Sequence, residues 1–205
     1  MDAVRVSALR ERLAGTGWWE AVGGFAGSLR RSVERRGADG LLLVGTEAYE
    51  PWHLAAHLAD EAAWSAVPRL APTLLRHRPA PGAPAHLAHG LRRLTEAGRG
   101  ATVLVIAPDA AGSPLLERVH DARRHGATVL ALDGAAPTAP GDLAELAALA
   151  HERLSVGTAA EEPFDLAQHL VSAAAGTPGT VRRSPLARLA ALAARLASPP
   201  PITRW

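Results

Sequence analysis

Apolar residues fall along this chain in two rhythms. The first is helical. Leu9 and Leu13, and then Val22, Phe25, Leu29 and Val33, recur three or four positions apart, and Gly15 and Gly17 separate the two groups. This spacing predicts helices over 3–14 and 18–36, the second ended by Gly37. The other rhythm is a short unbroken apolar run: LLLV at 41–44, TVLVIA at 102–107 and TVLAL at 128–132. Strands buried on both faces of a parallel sheet read this way, because neither side alternates with water.

Helical spacing fills the gaps between these runs. Pro51 opens a helix that carries Leu54, Leu58 and Ala62 as far as Trp64. A weaker strand is expected over 70–76, interrupted by Pro72, then a loop over 78–84 and a helix over 86–97 stopped by Gly98 and Gly100. Ser113-Pro114 supplies a capping residue and a first-turn proline for a helix with Leu115, Leu116, Val119 and Ala122 on one face. A short helix over 142–150, an edge strand over 153–156 and a helix over 164–175 follow. After a linker, a Leu-striped helix begins at Ser184-Pro185 and ends at Pro199.

Strand and helix alternating at this pace predict an α/β fold, a three-layer sandwich around a mostly parallel five-stranded sheet with right-handed crossovers. The expected organisation is N-terminal helices over 1–37, an α/β domain over 38–176, and a linker with a C-terminal Arg/Leu helix over 177–205.

Composition narrows the chemistry. Every one of the 22 basic residues is Arg, and the chain has no Lys and no Cys. Lysine Schiff bases, lysine general bases and P-loop lysines are therefore excluded, as are thiol nucleophiles and thiolate metal sites. The formal net charge is only +2, so no nucleic-acid partner is expected. The acid-free stretch after Asp165 carries Arg182, Arg183, Arg188, Arg195 and Arg204, so the C-terminal helix reads as an accessory helix packing on the core or across a dimer, or as one that docks a protein partner or lies on an anionic membrane. No apolar leader and no 18-residue apolar span are present, which gives a cytoplasmic expectation.

Ligands of an open parallel sheet sit beyond the C-terminal ends of its strands. Two loops take that position: 45–49, after the first strand, and 108–113, after the third. The second leads into a helix N-terminus, where free N–H groups favour an anion. Ser113 there reads equally as a plain helix cap.

The run 101–132 resembles the sugar isomerase (SIS) domain family. It has a strand, a loop to Ser113-Pro114, a helix, and Gly126-Ala127-Thr128-Val129-Leu130-Ala131-Leu132, where that family has Gly-Ala-x-Val-x-Ala-Leu. Val44-Gly45-Thr46 with Tyr49 is similar to the family's first strand and turn, 142–147 to its Ser-x-Leu-Ala-x-Leu-Ala segment, and 164–170 to its closing helix. The resemblance spans roughly 38–176. It implies a sugar-phosphate-like ligand held by Gly45, Thr46, Asp109, Gly112 and Ser113, with no cofactor and no metal, and a homodimer. It also implies that isomerase chemistry would need a Glu or His base, for which Glu47, Glu50 and His53 are the candidates.

The chain departs from the family's phosphate loop. Pro108 and Ala110 stand at the two serine positions and Ala111 at the glycine, so only Ser113 keeps a hydroxyl. Pro108 also removes a backbone donor. A carboxylate at Glu47 would cost a bound phosphate on the order of 1–4 kcal/mol at a separation of about 4 Å. Two functional readings stand: a SIS-like ligand-sensing or protein-interaction module without isomerase activity, and an active sugar-phosphate isomerase with altered loop chemistry. His53 and His57, with Asp60 and Glu61 a turn on, have metal-ligand spacing but lack the metalloprotease Glu, since position 54 is Leu. His86 and His89 read as surface histidines.

Overall fold

A computed structural model describes residues 17–134, 141–156 and 164–177. The helices expected over 3–14 and after Ser184 lie outside the described residues. Within them, the chain runs α1 (Trp18–Glu34), β1 (Leu41–Val44), α2 (Trp52–Ser65), a 3-10 turn (Pro68–Leu70), β2 (Pro72–Leu75), α3 (Arg92–Glu96), β3 (Thr102–Ala107), α4 (Ser113–Arg124), β4 (Thr128–Asp133), α5 (Asp142–Leu149), β5 (Glu152–Ser155) and α6 (Phe164–Gly176).

The strands form one five-stranded sheet in the order β2-β1-β3-β4-β5. All four pairings are parallel. Period-two alternation sorts each strand's side chains to opposite faces. Leu41, Leu43, Leu104, Ile106, Leu130 and Leu132 point into a core shared with α1, α2 and α6. Val44, Val103, Val105, Val129 and Ala131 point into a second core under α3, α4 and α5. Burial on both faces is why these strands are apolar without interruption, and β3 is buried at every position. Helix α1 seats Trp19, Val22, Phe25, Leu29 and Val33 in the first core, the face its spacing predicts.

Two local readings change. The segment 86–97 is not one helix: a 3-10 turn covers Ala85–Leu87, and only Arg92–Glu96 is α-helical. The backbone between them is used by the sheet. The Arg76 amide donates to the His89 carbonyl at 2.8 Å, and Arg76 forms a parallel bridge with Gly90. Ser113 is not the cap of α4. Gly112 holds that position with φ 78°, no side chain caps the helix, and Ser113 is its first residue. Among the described residues, no helix is long and apolar enough to cross a membrane.

Candidate functional site

In this strand order the chain leaves β1 toward β2 on one side and returns to β3 on the other. The connections part between β1 and β3, the point where open parallel sheets place a ligand crevice beyond the C-terminal ends of the strands. The 45–50 loop forms one lip and the 108–113 loop the other.

The first lip is set by close packing of backbone. A Cβ on Gly45 would stand 1.8 Å from the Tyr49 carbonyl oxygen and 2.7 Å from Pro51 Cδ, so the loop folds back over a residue that must be Gly. The Tyr49 amide donates to the Thr46 carbonyl at 3.2 Å, and Thr46 is buried in the turn. The Tyr49 phenol reaches α6, where it donates to Asp165 Oδ1 at 2.9 Å and accepts from Gln168 Nε2 at 2.7 Å. Its ring meets Phe164 edge-on. Burial above all, with the Asp165 carboxylate adding to it, raises the Tyr49 pKa above the ordinary 10.0.

Each carboxylate proposed as a base has an arginine partner. Arg76 Nε donates to Glu50 Oε1 at 3.1 Å and to Oε2 at 3.2 Å. Arg76 also lies over the Trp52 ring, 5.2 Å from its centroid. Glu47 is paired with Arg78. His77 Nε2 donates to the Gly45 carbonyl at 3.0 Å, bracing the same loop from the end of β2. His53 is drawn elsewhere: its ring stacks on His57, 6.1 Å away and tilted by 12°. His57 Nε2 in turn lies 3.0 Å from His169 Nδ1 on α6. Glu47, Glu50 and His53 thus have separate partners and form no acid–base pair with one another. Among the described residues, no group of three or more His, Asp or Glu side chains could hold a metal.

On the second lip, Asp109 and Ser113 are exposed. The Gly112 amide donates to Asp142 Oδ2 at 2.9 Å. A carboxylate from the start of α5 therefore takes the backbone donor that precedes α4, and its charge opposes a second anion there. At the root of this lip, a Cβ on Gly134 would stand 2.1 Å from the Pro108 carbonyl oxygen. The ends of β3 and β4 are in backbone contact at that point. Beside them, Arg153 binds fully buried Asp133 in fork geometry, Nε to Oδ2 at 2.6 Å and Nη2 to Oδ1 at 3.0 Å.

Sequence reasoning did not reach the residues that engage the two loops, namely Arg76, His77 and Arg78 at the end of β2, Asp142 at the start of α5, and Asp165 and Gln168 on α6, nor His169, which pairs with His57. One signal was available, the Arg-His-Arg triplet at 76–78 that closes the strand expected over 70–76.

By sequence, no family model and no curated protein matches the chain. By structure, it superposes on the sugar isomerase domain of the RpiR transcription factor from Sphaerobacter thermophilus with a TM-score of 0.51 at 14% identity, covering 84% of this chain and 85% of that one. A protein from Salmonella typhimurium LT2 named as a sugar binding protein gives 0.50 at 15% identity, over 87% of this chain and 54% of that one. One from Silicibacter pomeroyi DSS-3 named as a phosphosugar isomerase gives 0.52 at 14%, over 91% and 51%. This chain thus spans about half the length of the last two. At such identities the likeness is one of architecture, and the architecture is the α/β fold of sugar isomerase domain structures.

Proposed function

We propose that this chain is a ligand-sensing module that does not isomerise its ligand, with the ligand held in the crevice between the 45–50 and 108–113 loops. The observation that carries this reading is the pairing of both candidate bases: Glu50 with Arg76 and Glu47 with Arg78. A general base must be free to take a proton from the substrate, and here an arginine engages each carboxylate instead. The likeness to a transcription factor's sugar isomerase domain supports a sensing role.

The same reading includes a sugar-phosphate-like ligand, a homodimer and a cytoplasmic setting. It also assigns a protein partner to the Arg/Leu segment over 177–205, and keeps 38–176 as the ligand-binding domain.

The test is a thermal-shift panel of hexose, pentose and heptose phosphates, run beside a coupled aldose–ketose isomerase assay. A raised melting temperature without turnover is the expected result. Turnover that is lost in Glu50→Gln would overturn it and restore the isomerase reading. Light scattering of the intact chain, with and without truncation at residue 180, checks the dimer and the partner segment.

A further inference from the structure

We propose that Arg76 is the anion-recognising residue of this site, and that the group it takes is a phosphate monoester or a carboxylate on the ligand. The inference rests on the reading of the crevice as a ligand site and assigns the part of the ligand that is held.

Arg76 follows β2 directly, at the rim where the strands end. Its hydrogen bonds to Glu50 use only Nε. Its two terminal nitrogens make no hydrogen bond with the described residues and are not among the buried unpaired atoms. They therefore present donors to solvent. A guanidinium edge of this kind matches two coplanar oxygens of a phosphate or carboxylate.

The group is also held still. Glu50 fixes Nε from one edge, and the Trp52 ring lies against the guanidinium face. The Arg76 backbone is tied to His89 and bridged to Gly90. The Arg76 and Glu50 side chains are 23% and 26% exposed, so the pair is partly shielded from screening. A donor fork whose torsions are already restrained gives up less entropy on binding than a free surface arginine. Trp52 is 43% exposed, so much of the ring remains open to the apolar part of a ligand anchored at Arg76.

The 108–113 loop is the competing anion site, and it is the poorer one. Its Gly112 amide already bonds Asp142, and Pro108 offers no N–H. Under this assignment Glu50 acts as a positioning residue that orients the guanidinium.

The test measures melting temperature and affinity for wild type, Arg76→Met, Arg76→Lys, Glu50→Gln and Ser113→Ala. The probes are glucose 6-phosphate, gluconate and neutral glucose. Arg76→Met leaves Glu50 unpaired, so the double variant Glu50→Gln/Arg76→Met is run beside it. Each protein is compared with its own unliganded midpoint.

The expected result is binding of glucose 6-phosphate or gluconate, but not glucose, by wild type. Affinity falls at least tenfold in Arg76→Met and in the double variant, falls several-fold in Arg76→Lys, and is kept in Ser113→Ala. Which anionic probe binds identifies the phosphate or the carboxylate as the recognised group. Binding that survives Arg76→Met and is lost in Ser113→Ala overturns the Arg76 assignment and leaves the crevice as the site. Equal binding of glucose overturns anion recognition. No response to any probe in wild type overturns both the assignment and the reading beneath it.

Discussion

His169 Nδ1 and His57 Nε2 lie 3.0 Å apart, so an imidazole on α6 and one on α2 share a single hydrogen bond. One nitrogen donates and the other must accept, which at least one neutral ring has to supply. His169 Nε2 is buried with no partner among the described residues, so a second proton there would have no acceptor. Burial first, and then His57, lower the His169 pKa from 6.5 to about 4. His53 acts in the same direction. Burial and His53 lower that of His57, against a raising effect of Asp60. Between pH 6.5 and about 4 the unfolded chain binds protons that the folded chain refuses, so stability falls as pH falls through this window. After solvent at the half-buried rings is allowed for, the loss is on the order of 1–2 kcal/mol, or a few degrees of melting temperature. Melting curves from pH 7 to pH 4.5 should show the slope, and His169→Gln should flatten it. An unchanged slope would remove His169 as its source.

Arg153 and Asp133 set the second expectation. Asp133 is fully buried, and the pair is bidentate. Removing the guanidinium takes two charge-assisted hydrogen bonds from a fully buried carboxylate, which costs on the order of 1.5–3 kcal/mol. Arg153→Met should lower stability by that order in urea unfolding. Asp133→Asn in the same chain should recover part of it, because the buried charge is then gone.

Gly45 is a steric test of the first lip. A methyl group there meets the Tyr49 carbonyl and the Pro51 ring, and backbone cannot give way as a flexible side chain can. Gly45→Ala should therefore displace the 45–50 loop and destabilise the fold by roughly 2 kcal/mol or more. Gly27→Ala is the control, since its methyl meets only the end of the Arg31 side chain. Equal unfolding midpoints for the two variants would contradict the close approach at Gly45.

Much of the fold was legible because β1, β3 and β4 are buried on both faces, and only an unbroken apolar run satisfies that burial. The segment 86–97 misled because its helical spacing is real while its backbone serves β2 through His89 and Gly90. No local pattern announces such a bridge. The site divides in the same way. Gly45 and Gly112 stand out as loop glycines after strands. The partners that decide the chemistry are 26 residues away for Glu50 and Arg76, 30 for Gly112 and Asp142, and 112 for His57 and His169. Spacing arguments do not reach that far. Folding also turned Glu50 from a candidate base into the partner of Arg76.

Tyr49 offers the most direct optical check of the first lip, because it is the only tyrosine in the chain. Phenolate absorbance near 295 nm therefore reports this residue alone. Its midpoint should lie above 10.0, raised first by burial and then by Asp165, against a lowering hydrogen bond from Gln168. Asp165→Asn should bring the midpoint down, since it removes the negative charge that holds the proton on the phenol. Gln168→Leu should move it the other way. A folded pKa above the unfolded one means that the protonated phenol stabilises the fold below pH 10 and that this contribution is lost as pH rises through the folded midpoint. Tyr49→Phe deletes the hydroxyl from two partners and should cost about 1–2 kcal/mol at neutral pH. A midpoint at or below 10.0 in the folded protein would mean that the loop does not hold its phenol against α6.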